Sequence, residues 1–454
     1  MGEMQVPADA YYAASTARAV ENFPISNLRF SREFIAALGL IKFAAAEVNC
    51  QLKLLDPHLK GLIQQAAGEV IDGKLDDQFV VDIFQTGSGT STNMNANEVI
   101  ASRANEIATG KRGGKSPVHP NDHVNMSQSS NDVIPSAMHI SAAVAIESSL
   151  IPAMDHLKQS FTKKKLGDIV KIGRTHLQDA TPILVDQEMS GYAAQAMLSK
   201  GRAQRAISAL VELPLGGTAV GTGINSHPEF ARRAIAIIAQ RSGIGFVEAA
   251  NHFEAQSAKD GIVEASGLLK TIAISLTKIA NDIRWLASGP RCGIGELNIP
   301  ATQPGSSIMP GKVNPVMSEM VLQVAAQVVG NDATISWAAA MGSTFELNVM
   351  MPVMAFNLLQ SISLLSSAAR VFADKCVAGL SVNRERCESL VEQSLAMCTS
   401  LAPIVGYDIA ADIARESFNT GKTVRQVAME RKLMSEEELN QALDAKRMTA
   451  PQLE

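Results

Sequence analysis

The sequence predicts an all-α fold built around a bundle of long helices. Two observations carry this. Aromatic residues are only 4% of the chain while alanine is abundant, and apolar residues recur at spacings of three and four over long windows. Small side chains let helices approach closely, whereas strands favour aromatic and β-branched residues. Ala255 to Ser288 reads as one very long helix, its apolar stripe running through Ile262, Ala265, Leu268, Leu269, Ile272, Ile279 and Ile283. Glu254, Lys259, Asp260, Lys270 and Lys278 interrupt that stripe and are expected to face outward. Further long helices are expected over Val133 to Lys163, Pro182 to Leu210, Pro315 to Ala340 and Pro352 to Ala373. Their apolar surface exceeds what one chain covers, which predicts self-association.

Gly-rich polar connections separate the helices: Gly87 to Thr92, Gly173 to Thr181, Gly216 to Ser226 and Gly289 to Gly311. Loops held on a rigid scaffold carry reactive groups, so function is expected there. After about Arg384 the helices shorten, and turn signals such as Asn419-Thr420-Gly421 mark a small separate domain.

Bulk properties narrow the function classes. A formal net charge of −5 over 454 residues gives no reason to expect nucleic acid or an anionic membrane as partner. Lys163-Lys164-Lys165 reads as a solvated helix end. Five cysteines, Cys50, Cys292, Cys376, Cys387 and Cys398, form no Cys-x-x-Cys pair. That argues against a disulfide framework or structural zinc and for reduced thiols in a cytosol-like compartment. The start, Met-Gly-Glu-Met, lacks the basic-then-apolar pattern of a signal peptide. Gly2 invites myristoylation, but Val6 stands where Ser or Thr is wanted. No uninterrupted apolar run is long enough to span a bilayer.

The most informative stretch is Gly305-Ser306-Ser307-Ile308-Met309-Pro310-Gly311-Lys312-Val313-Asn314-Pro315. It sets two hydroxyls, a lysine and an amide on a short loop. Asn314-Pro315 then reads as a helix start, Asn as N-cap and Pro at the first helical position. A lysine ammonium, an amide donor and a helix N-terminus suit an anion. A serine is a poor base unless its alkoxide is stabilised, and the same positive groups would stabilise a carbanion beside a carboxylate.

Four other segments carry polar chemistry. Gly173-Arg174-Thr175-His176-Leu177-Gln178-Asp179-Ala180 reads as a loop just before a helix, offering a hydroxyl anchor and an imidazole that titrates near neutrality. Ser127-Gln128-Ser129-Ser130-Asn131-Asp132 precedes a helix and joins capping residues to a carboxylate cradle. Thr86-Gly87-Ser88-Gly89-Thr90-Ser91-Thr92 is a hydroxyl-rich glycine loop without the closing Gly-Lys-Ser/Thr of a phosphate loop. His119-Pro120-Asn121-Asp122-His123 lacks a recognised zinc spacing and reads as an anion-binding turn rather than a metal site. Glu319, in the first turns after Pro315, could orient an imidazole or simply complement the helix dipole.

Over nearly its full length the chain resembles the class II fumarases of the fumarase/aspartase superfamily. The resemblance runs from Val6-Pro7-Ala8-Asp9-Ala10 and Glu21-Asn22-Phe23-Pro24-Ile25-Ser26 through Phe84 to Thr90, His119 to Asp122, Gly289 to Gly293, the loop at Gly305 to Pro315, and Phe345-Glu346-Leu347-Asn348-Val349. Aspartase shares the Gly305 loop but typically has Thr-Gln for Thr175-His176 and Asn-Pro-Asn-Asp for His119 to Asp122, so both sites favour fumarase.

The resemblance implies reversible hydration of fumarate to (S)-malate, a tricarboxylic acid cycle step, by anti addition and elimination of water through an aci-carboxylate carbanion. Aspartate ammonia-lyase is the alternative, and a non-catalytic member like the lens crystallins a third reading. Ser306 would be the base, and His176, backed by Glu319, would assist departure of the C2 hydroxyl as water. Lys312 and Asn314 would hold the carboxylates, with Ser88, Gly89, Thr90, Ser129, Ser130, Asn131, Thr175 and Ser307 completing the pocket. His119, Pro120, Asn121 and Asp122 would form a second anion site; Ser116-Pro117 stand just before it, where relatives often carry a basic residue. No metal or organic cofactor is implied. The implied fold has three all-helical domains, here 1–130, 131–384 and 385–454. Four central domains would pack as a homotetramer with each active site shared by three subunits, in the cytoplasm.

Overall fold

A computed structural model describes residues 3–164 and 166–451; Gly2 and Lys165 lie outside them. The all-α expectation holds. Among the described residues the strands form only four short two-stranded pairs. The helices, in order, are α1 Ala14–Asn22, α2 Arg32–Gln51, α3 Pro57–Ile71, α4 Thr90–Thr109, α5 Ser130–Ala145 and α6 Ile151–Lys163. After the hairpin of β1 Val170–Thr175 and β2 Gln178–Leu184 come α7 Val185–Ser208, α8 Phe230–Ser242, α9 His252–Ser257, α10 Asp260–Leu286, α11 Val316–Gly342 and α12 Met351–Phe372. The tail holds α13 Arg384–Gln393, α14 Ala402–Val405, α15 Tyr407–Thr420, α16 Val424–Glu430 and α17 Glu436–Ala442.

Local chemistry sets the ends. Asp56 caps α3 by accepting from the His58 and Leu59 amides, with Pro57 at the first helical position. Ser129 and Asp132 form a reciprocal capping box on α5. Gly89 precedes α4 at φ 71°, and a Cβ there would come within 2.9 Å of Ile134. A π-helical turn, Ile146–Leu150, joins α5 to α6, so the expected Val133 to Lys163 helix runs on through a bulge.

Four local expectations are corrected. The very long helix breaks at Ala258, whose ψ of 156° is extended. Lys259 does not face outward. It is buried, and its Nζ donates to the Ala255, Gln256 and Ala258 carbonyls, closing the C-terminus of α9. Around Pro315 the helix start shifts by one. The Pro315 carbonyl accepts from the Glu319 amide, so Pro315 holds the cap position and α11 begins at Val316. Finally, Gly173 to Thr181 is not a loop before a helix but most of the β1–β2 hairpin.

Two compact units divide the chain. The first comprises Met1–Ala153, Ser199–Ile274 and Val324–Ser367, the second Met154–Leu198, Ser275–Gln323 and Ala368–Glu454. In the first, α2 is the central element: it packs on α3, α5 and α8 and buries Phe34, Leu38, Ile41, Ala45 and Val48. In the second, Ile172 of β1 joins Val391, Leu401, Ile413, Val424, Val427 and Leu439 in the core of the tail helices. Two helical stretches, Ser130–Lys163 and Met351–Val377, are long and apolar enough to cross a membrane by length and composition alone; most of the apolar window of each is buried inside the protein, as in core helices.

Lys42, fully buried on α2, has its Nζ donating to the side-chain oxygens of Asn93 (2.8 Å), Asn125 (3.0 Å) and Gln128 (3.0 Å). Burial pushes its amine from 10.5 down to about 7, opposed by the Asp132 charge. Between those pH values the unfolded chain binds the additional proton, so stability rises with pH across that window; below about 7 both states are protonated and the slope vanishes. Wild type should therefore gain on Lys42→Met between pH 7.5 and 9.5, by up to about 1.4 kcal/mol per pH unit. Denaturant titrations of both proteins check this, and a constant difference across the range would show that the amine stays charged.

Candidate active site

The first unit brings three hydroxyls together. Ser88 Oγ lies 2.7 Å from Thr90 Oγ1, which lies 2.7 Å from Ser130 Oγ. This chain joins the N-termini of α4 and α5, where unpaired backbone N–H groups and the helix dipoles favour a carboxylate. Backbone packing holds the α4 end. The Gly87 carbonyl accepts from the Met351 amide at 3.1 Å, and a Cβ at Gly87 would fall 1.9 Å from the Val349 carbonyl oxygen. At the α5 end, Ser129 Oγ accepts from the Asn131 amide, while Asn131 Nδ2 donates to the Ala219 carbonyl at 2.8 Å.

The His119 to Asp122 segment lies in the same unit as a π-helical turn, Pro120–Val124. His119 Nδ1 accepts from the Asn121 and Asp122 amides, and the His119 amide donates to His123 Nδ1. Accepting at Nδ1 fixes the tautomer that carries its proton on Nε2. Among the described residues, no group of three or more His, Cys, Asp or Glu is arranged to hold a metal ion.

In the second unit, Ser306, Ser307, Lys312 and Asn314 share one loop whose ends are clasped. Asn314 Nδ2 donates to the Gly305 carbonyl at 2.5 Å, and a Cβ at Gly305 would fall 1.8 Å from the Lys312 carbonyl oxygen. Asn314 thus spends one N–H on the clasp. Ser306 Oγ accepts from the Met309 amide at 3.0 Å and the Ile308 amide at 3.3 Å. Two N–H dipoles aimed at one hydroxyl oxygen stabilise negative charge on it. Ser307 and Lys312 are exposed, and among the described residues Lys312 makes no ion pair.

Thr175 and His176 stand at the tip of the β1–β2 hairpin, where Thr175 pairs with Gln178. His176 and Leu177 form the two-residue turn at φ 56° and 61°, the left-handed geometry that matches strand twist. Positive φ at leucine is costly, and such strain gathers at functional sites. A buried charge cluster anchors the hairpin. Glu296, fully buried, accepts from Arg174 at 2.9 and 3.0 Å and lies 3.2 Å from Lys171 Nζ, which also bonds Glu188 at 3.1 Å. Burial raises the Glu188 carboxyl and Lys171 opposes the shift. Glu319 is exposed in the first turn of α11. Among the described residues no hydrogen bond joins it to His176.

Sequence reasoning assigned no role to Arg174, Lys171, Glu188, Glu296, Lys42 or Asp132. Only Asp132 carried a readable signal, its capping-box spacing from Ser129.

Residues 2–330 match a family profile described as Lyase, and residues 397–450 one described as Fumarase C C-terminus. The chain is 50% identical over 453 residues to the class II fumarate hydratase of Neisseria meningitidis serogroup A, covering 99% of this chain and 98% of that protein. It is 51% identical over 451 residues to the enzyme of the same name from Mycobacterium tuberculosis H37Rv, covering 98% and 94%. The crystal structure of recombinant class II fumarase from Schistosoma mansoni superposes with a TM-score of 0.95 at 38% identity, covering 99% of this chain and 97% of that one.

Proposed function

The chain belongs to the class II fumarase family of lyases, and from that premise we propose how its own residues divide the reaction. It is a fumarate hydratase, acting on a small dicarboxylate and interconverting fumarate and (S)-malate. In the direction from malate to fumarate the Ser306 alkoxide removes the C3 proton, and the electron pair passes into the adjacent carboxylate as an aci-carboxylate. The C2–O bond then breaks as C2=C3 forms. The hydroxyl leaves as water, protonated through a bound water by His176 with Glu319 behind it. Lys312 and Asn314 hold the carboxylates, with Ser88, Gly89, Thr90, Ser129, Ser130, Asn131, Thr175 and Ser307 around them. The single observation that supports Ser306 is the pair of amides donating to its Oγ. The His119 to Asp122 turn is assigned as a second anion site.

The assembly is a homotetramer of three-domain chains, divided at 1–130, 131–384 and 385–454, with each site shared by three subunits. Met197, Ile274, Trp285, Trp337 and Met341 remain exposed on the long helices, Trp337 at 65%, which supports a covered apolar face. Five free cysteines support a reducing, cytoplasmic setting.

Proton NMR of the purified protein with fumarate, with and without ammonium and a chelator, tests the reaction. Malate should form in every mixture. Aspartate appearing only with ammonium would replace this reading with an ammonia-lyase, and malate formation stopped by the chelator would overturn the metal-free assignment.

A further inference from the structure

We infer that Asp132 is a positioning residue of the dicarboxylate site, its carboxylate pinning the Ser129–Asn131 turn to the Gly216–Thr218 loop. The inference rests on the assignment of Ser129, Ser130 and Asn131 to substrate binding. Asp132 is fully buried in the first turn of α5. One carboxylate oxygen accepts from the Ser129 amide at 2.9 Å, and the other from the Gly216 amide at 2.9 Å and the Thr218 amide at 3.0 Å. Capping α5 needs only the first bond. The other two reach more than 80 residues along the chain and have nothing to do with the helix end.

The loop they hold is irregular and has few backbone bonds of its own, among them Gly217 N–H to the Pro214 carbonyl and Gly221 N–H to the Gly217 carbonyl. Gly216 sits at φ 103° and Thr218 at φ 54°, outside any regular ladder. Further ties reinforce the clamp: Gln256 Nε2 donates to the Thr218 carbonyl, and Asn131 Nδ2 to that of Ala219, both at 2.8 Å. Three N–H groups converge on two oxygens, so the site calls for a carboxylate. An amide in the same place must turn its NH₂ toward one of the donors. Among the described residues no cation makes a hydrogen bond or ion pair with Asp132. Lys42 acts on it as a counter-charge, and its Nζ holds Asn125 and Gln128 on the approach to the same turn and Asn93 in the first turn of α4. Burial raises the Asp132 carboxyl, while the three backbone bonds and Lys42 oppose that rise. The result is a rigid frame behind the Ser88–Thr90–Ser130 hydroxyls.

The test compares full-length wild type with Asp132→Asn, Ser130→Ala and Thr90→Val in steady-state fumarate hydration and in binding of succinate, the saturated dicarboxylate. Lost positioning weakens ground state and transition state alike, so Asp132→Asn should raise KM and the succinate Kd about tenfold while kcat changes less than about threefold. A merely structural defect would lower the active fraction, hence kcat, with KM unmoved. If Ser130→Ala and Thr90→Val raise KM but Asp132→Asn does not, the positioning role is overturned and the site stands. If none of the three moves KM or Kd, both fall. Should Asp132→Asn not assemble, wild-type hydrogen exchange decides. Succinate should slow exchange in the 127–132 and 214–221 segments together, and protection of the first alone would overturn the clamp.

Discussion

Replacing Ser306 with alanine should lower fumarate turnover on the order of 10³-fold or more while leaving assembly and thermal stability nearly unchanged. The two halves have separate causes. Ser306 Oγ is the atom on which two amides, Ile308 and Met309, converge, and no other hydroxyl on that loop has such a pair among its hydrogen bonds. Deleting it removes the only group there prepared to carry an alkoxide. The clasp that shapes the loop uses Asn314 and the Gly305 carbonyl instead, so the backbone keeps its course. The two amides freed by the substitution belong to exposed residues and can turn to water, which limits the stability cost to about 1 kcal/mol. Ser307→Ala, removing a neighbouring hydroxyl without paired donors, should cost far less. Turnover of Ser306→Ala within tenfold of wild type would place the base elsewhere.

Long-range organisation was legible where periodicity is long and uninterrupted. The helices α5–α6, α7, α11 and α12 fall within a few residues of the expected spans. Breaks were less legible. Ala258 ends α9 because Lys259 folds back onto its last carbonyls, and a lysine beside an acidic residue reads in sequence as a solvated face. The hairpin was hidden for a different reason. Its turn residues, His176 and Leu177, are not the Asn-Gly or Gly-Gly pairs that advertise such turns.

For the proposed site, the residues assigned to substrate stood out because hydroxyls, lysine and histidine crowd into glycine loops. The residues that hold those loops were not. Lys42 meets its acceptors 51, 83 and 86 positions away, and in sequence it is one polar residue inside Leu40-Ile41-Lys42-Phe43.

Glu296 tests the same point at larger energetic scale. Its carboxylate is the shared partner of Arg174 and Lys171, with Glu188 the remaining negative group against two cations. Glu296→Ala strands the Arg174 guanidinium and leaves Lys171, almost wholly inaccessible, with Glu188 as its one remaining carboxylate. Removing one partner of a buried ion pair costs about 3–5 kcal/mol, whereas replacing the group by apolar residues of similar volume is often near neutral. Arg174→Met combined with Glu296→Met should therefore recover much of what Glu296→Ala loses, measured by urea denaturation at one fixed protomer concentration. Activity separates the anchor from the pair's net stability. Arg174 immediately precedes Thr175 and His176, so both variants should turn over fumarate slowly even at temperatures where they are fully folded. A double variant that regains stability without regaining kcat would mean that the ion pair is kept for the position of the hairpin tip. Full recovery of both would reduce Glu296 to a neutraliser of buried charge, and the β1–β2 turn would then hold His176 without help.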